Sequence, residues 1–390
     1  MLYDAERGVA LLGDEEIAAA VEVLRSRSLF RYYGPQLLGK ADAFEAALAQ
    51  LVGARHALAV SSGTAALECG LVGLGVPEGA EVIVPAITFV ATVGAVLAAR
   101  AVPVFAEVDD TLCLDPASVR SLVTERTAAI IPVHLANVAA DMTPICDVAQ
   151  QHGLAVLEDA AQAIGVTYGG AAVGTIGDAG IYSFNLEKNI TCGEGGALVT
   201  NDERVWRRAA RYHDQGGQFV TSTGRVRGDD TDDAFVGTNL RMTELAAAIA
   251  HVQLSRLQPM LESLRGYAHE IRGRLDDAGL TWRRIPDEDG EGGDLTVLLP
   301  SRRAAWSFVR DLRKNGMPAS MFYGGRPVYA NAAVATGATA WGSWDLRPDC
   351  PRSEALAARA VNIALGVNMT PQTLDQVEHA IREAARAGRR

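Results

Sequence analysis

Apolar residues along this chain repeat in two ways, and the change from one to the other marks its organisation. Near the start, Asp14, Glu15 and Glu16 read as a first helical turn, with Ile17, Val21 and Leu24 along one face. A loop rich in aromatics follows, Ser28-Leu29-Phe30-Arg31-Tyr32-Tyr33-Gly34-Pro35. A second helix then sets Phe44, Leu48 and Leu51 inward, with Gly53 just past its end. Beyond it, short apolar runs alternate with helical stretches: Ala57–Val60, Val82–Val84, Val102–Phe105, Ala128–Pro132, Leu154–Leu157, Ile181–Phe184 and Ala197–Thr200. Most are apolar on both faces, as strands covered by helices on each side should be. The pattern predicts an α/β layer architecture on a largely parallel sheet.

Between Asp214 and Gly237 the periodicity stops in a stretch rich in Gly, Asp and Arg, a loop long enough to be functional or mobile. A long helix is predicted from Thr243 to Leu275, leading into a second region. That region has a strand near Leu295–Leu299, a helix near Arg303–Asn315, and helices around Ser353–Leu365 and Thr373–Ala387. A large domain over 1–250, with a helical arm over 1–55, and a smaller one over 251–390 are expected.

Composition narrows the partners. A net charge of −11 argues against nucleic acid and anionic membrane surfaces. Five widely spaced cysteines without a Cys-x-x-Cys pair point to a reducing compartment and no disulfide framework. The histidines show no metal-binding spacing, so no metal is expected. No apolar stretch is long enough to span a bilayer and no signal peptide is evident, so a cytoplasmic protein is expected.

Only three of the 36 basic residues are lysines: Lys40, Lys188 and Lys314. A chain that meets its need for positive charge with arginine keeps lysine where a guanidinium cannot serve, as in forming an imine or acting as a base. Lys188 lies in Ser183-Phe184-Asn185-Leu186-Glu187-Lys188-Asn189, shortly before the turn Gly193-Glu194-Gly195-Gly196. Two other strand ends matter beside it. The run Ala57–Val60 leads into Ser61-Ser62-Gly63-Thr64, which opens a helix whose free N–H groups and hydroxyls would cradle a phosphate. The run Leu154–Leu157 ends in Glu158-Asp159, an acid where such sheets bind ligands. Taken singly, each has an ordinary structural use, Ser and Asp as helix caps above all. Together, a phosphate cradle, a buried carboxylate and one privileged lysine meet the needs of pyridoxal phosphate.

These motifs resemble the DegT/StrS family of aminotransferases, which act on nucleotide-linked keto-sugars and keto-cyclitols. The likeness runs over nearly the whole chain and is strongest in Ser61–Leu67, Pro85–Thr92, Glu158–Ala163, Ser183–Gly196 and Gly237–Leu254. It implies the fold of type I pyridoxal-phosphate enzymes, with a three-layer α/β/α domain and a smaller α+β domain. It further implies that Lys188 holds the cofactor as an imine and shuttles the proton, and that Asp159 pairs with the pyridine nitrogen. Ser62, Gly63, Thr64, Ser183 and Asn185 would contact the cofactor, chiefly at its phosphate. Phe89 would stack on the ring, Gln162 would lie near the ring hydroxyl, and Asn239 would reach the phosphate of a neighbouring subunit. A homodimer with interfacial sites follows from that last assignment.

Arg31, Tyr32 and Tyr323 are candidates for substrate contact. Many relatives carry His-Tyr-Pro near the small-domain strand, whereas this chain reads Phe322-Tyr323-Gly324, so the acceptor does not transfer. The expected reaction takes an amino group from glutamate or glutamine to a keto-sugar or keto-cyclitol. Its Ala- and Arg-rich usage suits a GC-rich bacterial genome and specialised metabolites such as antibiotics. Two competitors stand beside that reading. One is elimination, dehydration or racemisation with the same cofactor, and Lys188 opposes dehydration, since family dehydratases lack that lysine. The other is a non-catalytic regulator, for which the chain carries no helix-turn-helix.

Overall fold

The computed structural model describes residues 2–3, 5, 7–217, 234–339, 342–344, 346 and 348–387. The aperiodic stretch 214–237 therefore lies mostly outside the described residues.

The seven apolar runs become the strands of one sheet: β1 (His56–Val60), β2 (Glu81–Pro85), β3 (Val102–Ala106), β4 (Thr127–Ile130), β5 (Ala155–Asp159), β6 (Ala179–Ser183) and β7 (Gly196–Thr200). Their order is β1-β7-β6-β5-β4-β2-β3, and only β7 runs antiparallel to its neighbours. Successive side chains point to opposite faces. Leu58, Val60, Val82, Val84, Leu157 and Leu198 accordingly join one core cluster, while Ala57, Ala59, Tyr182 and Val199 join another with Phe44 and Leu48. Helices cover both faces, so every residue of β2, β6 and β7 is buried, as runs apolar on both sides require.

Helices α1 (Asp14–Ser26) and α2 (Lys40–Val52) form the N-terminal arm, with α2 ending at Gly53 in a left-handed conformation. The start of α2 is capped from far away. The buried Glu244 carboxylate accepts from Lys40 N at 2.7 Å and Ala41 N at 2.9 Å, placing negative charge on two free N–H groups. The predicted inward face of α1 turns out differently, because Ile17 and Leu24 are 61% and 53% exposed.

Helices α3 (Gly63–Gly73), α4 (Val90–Ala98) and α5 (Glu203–His213) cover the sheet together with the helical segments Pro116–Leu122 and Met142–His152. The single helix predicted from Thr243 is two, α6 (Glu244–Leu254) and α7 (Leu257–Arg274). Pro259, in the first turn of α7, has no N–H to give the carbonyl of Ser255, so the break falls before it.

A second sheet has strands β8 (Leu295–Leu298), β9 (Ala319–Met321) and β10 (Ala360–Ile363), all antiparallel with β10 in the middle. β10 takes the place of the second half of the helix expected over Ser353–Leu365, which stops at Ala357. An Ala-rich run favours helix, yet pairing on both edges and burial of Val361 and Ile363 outweigh that propensity.

Candidate active site

The parallel strands β1, β2, β5 and β6 end at one edge of the large sheet, where a cleft of about 920 Å³ opens towards the second sheet. Ser62, Gly63, Thr64, Phe89, Asp159, Gln162, Ser183, Asn185, Lys188 and Tyr323 all line it. Residues separated by up to 261 positions thus meet in one place.

The cradle begins at α3. Ser62 caps the helix, its Oγ accepting from Ala65 N at 3.1 Å, and leaves the N–H groups of the first turn facing the cleft. The helix start sits against its neighbours so closely that side chains are excluded. A Cβ on Gly63 would lie 2.8 Å from the Ser183 Cβ, and one on Gly196 would lie 2.3 Å from the Ser62 carbonyl. The second glycine of the Gly195-Gly196 pair is therefore what lets β7 pass beneath α3. The residues present fit a phosphate: free N–H groups, the hydroxyls of Thr64 and Ser183, and a glycine at the helix start where a Cβ would crowd Ser183.

Lys188 sits on the loop that joins β6 to β7. Thr191 ties that loop down, donating from Oγ1 to Phe184 O at 3.1 Å and accepting from Gly193 N at 3.0 Å. Asn185 donates to Glu194 at 3.1 Å, closing the loop from the other side. Asn189, the next residue after the lysine, is buried and donates to Asn137 Oδ1 at 2.7 Å. Among the described residues the Lys188 amine has no side-chain hydrogen bond, on a loop tied down on both sides of it. Burial lowers the pKa of its amine, with Asp159 and Glu187 pulling the other way. A lowered pKa leaves more of the amine unprotonated, the form that attacks a carbonyl or takes a proton.

Asp159 ends β5, buried at 5% exposure. Its Oδ2 accepts from Thr92 Oγ1 at 2.8 Å and its Oδ1 from Ala161 N at 3.2 Å. Burial raises its pKa, and the Thr92 and Ala161 donors, then Lys188 and His134, oppose that rise. Its neighbour Glu158 points to the other side of the sheet and is fully enclosed. That carboxylate accepts from Gly174 N, Ile176 N, Gly177 N and His134 Nε2 at 2.6–2.9 Å. Ala140 N donates to His134 Nδ1 at 3.0 Å, which places the imidazole proton on Nε2 and fixes its direction towards Glu158. Of two adjacent acids, one is a structural anchor and the other faces the cleft.

Gln162 spans the floor, its Oε1 accepting from Ala136 N at 3.2 Å and its Nε2 donating to the Tyr323 hydroxyl at 3.0 Å. Tyr323 has φ 48°, unusual for a residue with a side chain, and is followed by Gly324 and Gly325 at φ 70° and 71°. Phe89 is 56% exposed at the cleft wall, its ring centre 6.4 Å from that of Tyr323.

Three sequence candidates lie elsewhere in this chain. Arg31 is buried beneath the N-terminal arm, donating to Glu45 at 2.8 Å, Asp42 at 3.3 Å and Ala59 O at 3.3 Å. Its guanidinium is engaged by two carboxylates in an internal ion pair and does not line this chain's cleft. Tyr32 packs over Arg31 and against His213. Asn239 is exposed, away from the cleft. Thr92 went unread in the sequence, since a threonine in a first helical turn looks like any cap-proximal hydroxyl. Its four-residue spacing from Thr88 was the available signal.

Comparison with known proteins identifies the family. Residues 11–382 match the model of the DegT/DnrJ/EryC1/StrS aminotransferase family. The chain is similar to 3-amino-5-hydroxybenzoic acid (AHBA) synthase, with 29% identity, 97% of each chain covered and a TM-score of 0.84. It is similar to S. venezuelae DesV, solved in complex with a ketimine intermediate, with 31% identity, 95% and 94% covered and a TM-score of 0.82. An E. coli GDP-4-keto-6-deoxy-D-mannose-3-dehydratase shares the fold at 21% identity, with 95% and 97% covered and a TM-score of 0.81. The cleft and the family match agree: the chain belongs to the DegT/DnrJ/EryC1/StrS aminotransferase family and is a pyridoxal-phosphate-dependent aminotransferase.

Proposed function

We propose that this enzyme moves an amino group from glutamate or glutamine to a nucleotide-linked keto-sugar or a keto-cyclitol. The observation that carries the reading is the joint presence of Lys188, Asp159 and the α3 cradle in one cleft near the upper end of the roughly 300–1,000 Å³ common for ligand sites. That volume leaves room for a substrate beside the cofactor. The wall contributed by the second sheet and its surroundings carries neutral polar groups, including Asn137, Ser320, Tyr323 and Asn362, which suit a hydroxylated substrate better than an apolar one. The two domains of the expected fold would then divide at residues 250 and 251, within α6, with the cleft between their sheets.

When bound, pyridoxal phosphate supplies a carbonyl carbon that carries the amino group and a ring that accepts the electron pair of a broken C–H bond. The chain's residues do the rest. The α3 N–H groups with Thr64 and Ser183 hold the phosphate, Phe89 covers one ring face, and Asp159 keeps the ring nitrogen protonated. Gln162 lies at the ring hydroxyl, and Asn185 steadies the phosphate side of the lysine loop. Lys188 Nζ takes the proton from the donor's α-carbon and returns one to the acceptor carbon, acting as base and then acid. Tyr323 contacts the acceptor.

A homodimer belongs to the same reading. Ile17 and Leu24, with Leu29 and Tyr33 nearby, expose apolar surface beside a groove of about 490 Å³ on α1. Asn239 and Tyr32 would approach the neighbouring subunit's cleft. Light scattering should give twice the chain mass, and Ile17→Asp should halve it; a monomeric wild type would remove the dimer.

The purified enzyme should be offered glutamate or glutamine together with a panel of keto-sugars and keto-cyclitols. Stoichiometric α-keto acid and aminated product are expected. Product formation without any amino donor would instead favour elimination or racemisation.

A further inference from the structure

We infer that Thr88 and Thr92 form a directed hydroxyl chain that orients the Asp159 carboxylate and holds it ionised, making Thr92 a positioning residue for the cofactor's ring. The inference rests on the proposed pairing of Asp159 with the ring nitrogen. Thr88 is the second-last residue before α4 and Thr92 its third, so both hydroxyls come from one turn beside the end of β2. Each residue is 1% exposed.

Direction follows from counting protons. An ionised carboxylate only accepts, and a hydroxyl has one proton to give. Thr92 Oγ1, 2.8 Å from Asp159 Oδ2, must spend its proton there. Thr88 Oγ1, 2.7 Å from Thr92 Oγ1, must therefore donate to it. Each link polarises the next, so the terminal donor is stronger than an isolated hydroxyl.

The choice of hydroxyls has a physical reason. An arginine or lysine at this position would also stabilise the carboxylate, but would neutralise it and compete with a cationic ring. Two hydroxyls stabilise the negative charge without supplying a positive one. The groups facing Asp159 from other elements do not duplicate the task. Lys188 approaches from the loop after β6, and His134, beyond β4, spends its Nε2 proton on Glu158. Tyr323, from the turn after β9, accepts the Gln162 Nε2–H on its hydroxyl oxygen and is held there rather than on Asp159. Burial pushes the Asp159 carboxyl upward, and Thr92 is the strongest of the groups that pull it back.

The test titrates cofactor-free protein with pyridoxamine 5′-phosphate, which cannot form an imine with Lys188, and follows binding by fluorescence from acid to neutral pH. Thr92→Val keeps the shape and removes the donor. It should weaken binding about tenfold at neutral pH and move the acid limb of the binding profile up by about one pH unit. Thr92→Ser should restore both, and Thr88→Val should move them the same way by less. The ligand's own titrations are common to all variants and cancel in the comparison. Wild-type affinity and profile in Thr92→Val would overturn the inference, as would a Thr92→Ser variant as weak as the valine one, which would mark a packing role. Should the valine variant misfold by circular dichroism, Thr92→Ala carries the same expectation. Asp159→Asn separates the two levels: it should reduce the acid limb to the part set by the ligand's own titrations, and an unchanged limb there would refute the pairing of Asp159 itself.

Discussion

Two of the buried charge clusters among the described residues are built on opposite plans. Beneath the N-terminal arm, Arg31 is met by Glu45, Asp42 and Ala59 O, and Glu45 also takes the Ala59 N–H at 2.8 Å. In the cleft, Asp159 and Lys188 attract one another, but among the described residues no side-chain hydrogen bond links them. The first cluster is closed, and its charges answer one another inside the chain. The second is open, its carboxylate held by neutral donors and its amine by none. A closed cluster contributes to architecture, since removing one partner strands the other in a medium that punishes lone charge. An open one leaves charge free to act on a ligand.

The comparison makes a double dissociation testable. The largest expected effect is that of Lys188→Ala. Amino transfer should fall by about a thousandfold or more, borohydride should no longer fix cofactor to the chain, and the urea midpoint of the cofactor-free protein should not drop. Burial of the charged amine outweighs its attraction to Asp159 and Glu187, so removing it should not weaken the fold. A variant that kept wild-type turnover would show the open cluster to be idle.

Glu45→Ala should do the reverse. It leaves Arg31 buried without its nearest carboxylate and should destabilise the fold by about 3–5 kcal/mol in urea unfolding. Cofactor affinity measured under native conditions should change little. Loss of affinity with intact stability would mean that the closed cluster serves the site.

His213, at the edge of the closed cluster, adds a pH dependence. Its Nδ1 donates to Ala210 O at 2.5 Å, which leaves Nε2 as an acceptor facing the Tyr32 hydroxyl at 3.5 Å. Burial first, then the cationic Arg31, lowers its pKa from 6.5 to about 3. Between those values the unfolded chain binds a proton that the folded one refuses. Stability is therefore present near neutral pH and lost as pH falls through that window, by about 1.4 kcal/mol per unit at most. His213→Asn keeps a donor for Ala210 O and cannot titrate, so its unfolding midpoint should decline less between about pH 6.5 and 4.5. Identical slopes would place the acid sensitivity elsewhere.

The smallest effect belongs to the cleft wall. Tyr323→Phe removes the acceptor of the Gln162 N–H and should raise the acceptor KM by about three- to tenfold, with the donor half-reaction unchanged. A selective loss with the donor would reassign the residue to the cofactor side.

Much of this was legible along the chain for a physical reason. Strands apolar on both faces announce a sheet covered twice, and all seven runs became strands of it. The lysine-poor composition and the glycine turn after Lys188 mark a position where neither arginine nor a side chain will do. The match to the family model agrees with the motif reading over nearly the whole chain. Legibility failed where a residue's use depends on something distant. Ile17 and Leu24 looked like a core face because amphipathic periodicity is the same whether the face meets its own core or remains exposed. Ala360–Ile363 looked helical because local propensity cannot register two waiting strand edges.

What the sequence by itself determined is the chemistry on offer: one exceptional amine, an acid at a strand end, and a helix start with a glycine between hydroxyls. These follow from residue type and short spacing, which are local properties. Only the tertiary structure decided which acid of the pair Glu158-Asp159 faces the cleft, which arginine is locked away, and which threonine supports the site. Those outcomes depend on which groups, remote in sequence, arrive within hydrogen-bonding distance, and hydrogen bonds act over a few ångströms of space rather than along the chain.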